Sequence, residues 1–157
     1  MYDNLTRQAV SATLHCLTGC AIGEVLGMII GTALAWPAWL AVLLAVFLAF
    51  AFGYSLSIWP LRRAGLTWPV AARTAVAADS VSIATMEIAD NAFMLIVPGA
   101  LAAGLSSMLF WVSLVTSLVV AFIVTVPINR WLIARGRGHA LLHQFHDHHS
   151  QHGDHHA

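Results

Sequence analysis

Four long apolar stretches, at about 9–35, 38–58, 70–97 and 108–129, are set apart by short clusters of Trp, Pro and Gly. Each exceeds or approaches the roughly 20 helical residues needed to cross a hydrocarbon layer of about 30 Å. Helix is the form such segments take, because every backbone polar group must be satisfied within its own segment. The stretch from Trp39 to Ile58 carries no charge and is the clearest of the four. Breaks fall at Trp36-Pro37, Trp59-Pro60, Trp68-Pro69 and from Pro98-Gly99 through Gly104. The pattern predicts an all-α integral membrane protein. Residues 1–134 form a bundle of four transmembrane helices, and 135–157 form a flexible polar tail.

Composition agrees: 59% of residues are hydrophobic and 9% charged, with mean hydropathy +0.79. A soluble domain of this size needs more charge than that. Seven arginines balance seven acids and there is no lysine, so no basic surface for nucleic acid is expected. No phosphate-binding glycine loop or Ser/His/Asp triad signature is present, and no enzymatic role is expected. All six tryptophans lie near the span ends, where aromatic belts form. With four alternating spans, Arg7, Arg62, Arg63, Arg73, Arg130, Arg135 and Arg137 fall on one side. The positive-inside rule then predicts a bacterial inner-membrane protein with both termini in the cytoplasm. The first apolar run is too long for a cleavable signal and carries Glu24, so it reads as the first span.

Polar residues inside the spans change the picture from architecture to chemistry, because an acid at the bilayer centre costs about 3 kcal/mol on insertion scales. Cys16, Cys20 and Glu24 recur every four residues and form one stripe on the first helix, with His15 on its flank. Gly19, Gly23, Gly27 and Gly31 repeat on the same face, a small-residue pattern that lets helix backbones approach and suggests a homo-oligomer. The third helix carries Asp79, Met86, Glu87, Asp90, Asn91 and Met94. Matched for depth, His15 and Cys16 lie near Asp79, and Cys20 and Glu24 near Met86, Glu87 and Asp90. A shift of 66 residues lays Cys16-Cys20-Glu24-Met28 over Ser82-Met86-Asp90-Met94, an echo that apolar low-complexity segments also produce by chance.

Each feature has a plainer reading. Cysteines can be small apolar fillers, histidine an interhelical hydrogen-bonding group, methionines packing residues. The acids are harder to explain so, since no lysine is available and the arginines lie at the span ends. Such groups are neutral or hold a cation. The metal-ligand candidates are therefore His15, Cys16, Cys20, Glu24, Met86, Glu87 and Asp90, with Asp79, Asn91 and Met94 as secondary polar positions. The tail adds His139, His143, His146, His148, His149, His152, His155 and His156, a composition that collects Zn, Ni, Cu or Co.

The run His15-Cys16-Leu17-Thr18-Gly19-Cys20-Ala21-Ile22-Gly23-Glu24 resembles the signature of a bacterial membrane family catalogued as a domain of unknown function. So do Met86-Glu87-Ile88-Ala89-Asp90-Asn91 and Asn129-Arg130-Trp131-Leu132-Ile133-Ala134-Arg135-Gly136. The resemblance covers about 8–139 and implies a link to copper handling, without a catalytic assignment.

These readings converge on membrane transport or handling of a transition-metal ion, Cu(I) first because thiolate and thioether select soft ions. The expected partners are lipid, the metal ion and further copies of the chain. The alternative is a non-transporting accessory or assembly subunit whose polar row serves helix packing. A redox role for Cys16 and Cys20 is disfavoured, because their spacing is not the CxxC of thiol oxidoreductases.

Overall fold

A computed structural model describes residues 2–100 and 102–135; the eight tail histidines lie outside the described residues. Four helices account for nearly all of the described chain, with no strand among the described residues: α1 Tyr2–Ala33, α2 Ala38–Arg63, α3 Trp68–Ile96 and α4 Met108–Ala134. By length and apolarity α1, α2 and α4 are able to cross a membrane. At about 1.5 Å per residue, the 29 residues of α3 are also long enough. They include Arg73, Asp79, Glu87 and Asp90, which make this helix the most polar of the four.

Three boundaries differ from the sequence pattern, each for a local reason. α1 begins seven residues earlier than the apolar run, since its polar first turns continue the helix beyond the hydrophobic segment. α2 runs through Pro60, where a break is expected, and α4, whose expected span already includes Pro127, continues past its apolar run to Ala134. Each proline forfeits only its own bond to the carbonyl four residues back, at Leu56 and Ile123, and both sit within two turns of the helix end. The turns of α2 and α4 beyond these prolines carry the basic residues. Arg62 lies over the Trp68 ring at 5.0 Å, Arg63 over Trp59 at 4.9 Å and Arg135 over Trp131 at 4.0 Å. Arginine charge and indole surface thus share one end of the bundle, as interfacial anchors do.

The tightest seam is α1 on α2, antiparallel. Gly19 meets Gly53, Gly23 meets Ala49, Gly27 meets Ala45 and Gly31 meets Ala41. A Cβ at Gly27 would lie 2.6 Å from the Ala45 Cα, and one at Gly23 would strike the Ala49 backbone. On α2 the buried row is Ala41, Ala45, Ala49, Gly53, Ser57 and Leu61, one residue per turn. The glycine row is therefore consumed within the chain. It gives no argument for an oligomer, and it faces α2 while the neighbouring Cys/Glu stripe faces α3.

Candidate functional site

α1 and α3 run in the same direction, and their polar faces meet from the level of Cys16 and Ser82 to that of Met28 and Met94. At the arginine end, Thr13 and Cys16 of α1 approach Ser82 of α3 and Asn129 of α4. The Asn129 amide nitrogen donates to Thr13 Oγ1 at 2.8 Å and to Ser82 Oγ at 3.0 Å. Ser82 Oγ donates in turn to Cys16 Sγ at 3.1 Å, and Thr13 Oγ1 to the Ala9 carbonyl at 2.8 Å. Every member of this layer is buried and partnered. Asp79 is buried beside it, close enough to act on the Cys16 thiol, and is engaged by neighbouring groups. His15 turns the other way: its Nε2 pairs with Ser57 Oγ of α2 at 3.0 Å. The depth match of His15 and Cys16 with Asp79 is right for Cys16, while the imidazole reaches α2.

One to two turns further along α1 the character changes. Cys20 packs with Cys16, Ile83 and Met86 in the central core and lies against the Glu87 carboxyl. Glu24 and Asp90 face each other within hydrogen-bonding reach, and Asp90 also touches Ser117 of α4. Relative exposures are 6% for Glu24, 4% for Glu87 and 3% for Asp90. Yet both oxygens of Glu24, Oε1 of Glu87 and Oδ1 of Asp90 receive no hydrogen bond. The remaining Glu87 oxygen has a long contact, 3.5 Å, from the Asn91 amide, which also donates to the Glu87 carbonyl at 2.9 Å. Two facing carboxyl groups are joined by a shared proton, a bridging water or a cation.

Next to it lies a cavity of about 40 Å³, lined by Glu24, Glu87, Asp90 and Asn91 together with Met28 and Met94. That exceeds the minimum of roughly 10–15 Å³ for one water-sized occupant. Phe110 and Leu114 of α4 and Val42 and Ala45 of α2 complete its lining.

Among the described residues, no group of three or more His, Cys, Asp or Glu is arranged to hold one metal ion together. Apart from His15, which pairs with α2, the sequence-predicted ligands of the spans are brought into one interior but divided into layers: Cys16 with Ser82, Cys20 with Met86 and Glu87, Glu24 with Asp90. The orphaned carboxyl oxygens still fit a cation; what they lack is a third donor of those four types.

Sequence reasoning passed over α4. Its buried row Ser113, Ser117, Ala121, Thr125 and Asn129 repeats once per turn and supplies the fourth wall of the site. The four-residue spacing of hydroxyl and amide side chains was the available signal. Met28, seen only in the 66-residue echo, was missed as well.

Residues 6–138 match the model of a family described as a domain of unknown function, DUF4396. The chain belongs to this family. No curated protein and no solved structure matches it. The DUF4396 match takes in all of the layers described, from Thr13 to Asn129.

Proposed function

We propose that this DUF4396 protein is a four-span protein of the bacterial inner membrane, termini in the cytoplasm, that handles or conducts a transition-metal ion, Cu(I) foremost. One observation carries the reading: three carboxyl groups, Glu24, Glu87 and Asp90, are buried in the bundle with oxygens that no donor satisfies. In a membrane interior without lysine, such acids require a proton or a cation as partner. Their sulfur neighbours Cys20, Met86, Met28 and Met94 bias the choice toward soft ions. On this reading the tail histidines gather the ion and Cys16 and Cys20 lie on its way to the acids.

The packing alternative has its own support in the Asn129–Thr13–Ser82–Cys16 layer, whose polar groups satisfy one another. The two readings differ at Glu24. Proteoliposomes holding the full chain, with its eight tail histidines changed to Gln, should pass Cu(I), and Glu24→Gln should lower the flux at least about tenfold, the loss of roughly 1.4 kcal/mol of barrier stabilisation. Flux no higher than that of empty vesicles leaves the packing role standing and ends the conduction reading.

A further inference from the structure

The 66-residue echo is realised as contact. Ser82 donates to Cys16, its counterpart under that shift. Met86 packs in one cluster with its counterpart Cys20. Asp90 faces its counterpart Glu24, and Met94 lines one cavity with its counterpart Met28. Along two parallel helices one register contact carries the next three with it, so the fact to be explained is single: the packing register equals the sequence offset of the echo. A two-fold axis running between the parallel helices α1 and α3 makes them equal by construction.

The outer helices follow with an offset of 68, two residues more than the inner pair, a difference that the longer α3–α4 connection takes up. Ala45, Ala49, Gly53, Ser57 and Leu61 on α2 then correspond to Ser113, Ser117, Ala121, Thr125 and Asn129 on α4, both buried rows repeating once per turn. Tyr54 meets Ser80 on one side of the bundle. On the other side their equivalents, Phe122 and Leu14, line one surface hollow. The buried positions Ala9, Ala12 and Thr13 of α1 likewise match the buried Ala75, Ala78 and Asp79 of α3.

We infer that α1–α2 and α3–α4 are two copies of one hairpin related by this axis. We further infer that the cation of the proposed function, on which this inference rests, is held on the axis by the Met28 and Met94 thioethers beside the Glu24 and Asp90 carboxyls. An axis at a repeat interface is where a ligand takes equal donors from both halves, and transporters built from repeats bind there. Glu24 is more than nine-tenths buried, lines the cavity and has no donor on either oxygen. The missing further donors are then methionine sulfurs. Two neutral thioethers select Cu(I) or Ag(I) over Zn(II), and the carboxyls supply the compensating charge. Cys16 and Cys20 lie deeper toward the arginine end and are not ligands of this ion.

The test uses the full chain with the eight tail histidines changed to Gln and with Cys16→Ser/Cys20→Ser, because free thiols bind Ag(I) far more tightly than thioethers do. This parent is purified in detergent under argon and titrated with Ag(I). One Ag(I) per chain is expected, and adding Met28→Leu/Met94→Leu should weaken it at least about tenfold. As a check that needs no methionine variant, the parent labelled with selenomethionine and loaded with Cu(I) should show copper–selenium scattering in X-ray absorption. No Ag(I) on the parent, retention of Ag(I) by the methionine variant, or copper without selenium neighbours would each overturn the inference. In those cases Cu(I) flux through the unsubstituted spans would still uphold the proposed function. A parent that binds no Ag(I), together with unsubstituted spans that pass no Cu(I), would sink both.

Discussion

At Asn129 a single amide nitrogen bonds to α1 and α3 at once, 2.8 Å from Thr13 and 3.0 Å from Ser82. Replacing it with Leu removes both bonds but strands neither hydroxyl, since Thr13 still donates to Ala9 and Ser82 to Cys16. The expected cost is about 1–2 kcal/mol, the range for interhelical hydrogen bonds inside a bundle. It should appear as a lower thermal midpoint in detergent with Ag(I) stoichiometry unchanged. A collapse of Ag(I) binding at unchanged stability would instead put Asn129 in the ion site. The residue also marks what was legible at this scale. Cys16, Cys20, Glu24, Glu87 and Asp90 stand out because charge and sulfur are rare in apolar helices, and all five are buried together. Asn129, Ser117 and Thr125 do not stand out, because uncharged polar groups are common in membrane helices. Only their phase relative to three other helices gives them meaning.

Between elements, the close approach of α1 and α2 depends on backbone meeting backbone. Gly23 has the least room of the four glycines, since a Cβ there runs into the Ala49 amide and Cα. Neither atom is the end of a flexible side chain, so the helices must separate. Gly23→Ala should therefore cost about 1–3 kcal/mol, the usual penalty of overpacking, despite alanine's better helix propensity. Chemical denaturation in mixed micelles would measure it. A neutral or stabilising result would mean that the seam is looser than its geometry. The glycine spacing was readable from the sequence as a close-packing face, but its partner was not. A row of small residues specifies a neighbour without naming it, and the match here is another period-four row, Ala41 to Gly53, hidden in the plainest apolar segment of the chain. Helix ends were legible where Gly or Trp punctuates the chain. One was misplaced at Pro60, because a proline near a helix terminus costs too little to stop the helix.

For the molecule as a whole, the contacts between α1 and α3 require parallel helices, since Cys16 meets Ser82 and Glu24 meets Asp90 in the same order along both. If α1 crosses the membrane, α3 must cross it in the same sense, although its four charged residues make it the least apolar of the four. An α3 lying on the surface would carry Glu87 and Asp90 into water and leave Glu24 facing lipid, at a cost of about 3 kcal/mol for that one acid alone. The crossing is testable through two exposed positions, Thr67 before α3 and Ser106 after it. In a Cys16→Ser/Cys20→Ser background, Ser106→Cys should react with a membrane-impermeant maleimide on intact spheroplasts. Thr67→Cys should react only after permeabilisation, in keeping with the arginines that flank it at that end of the bundle. Labelling of both positions from one side would show that α3 does not cross, and the paired hairpins, their common axis and the ion seat upon it would fall together.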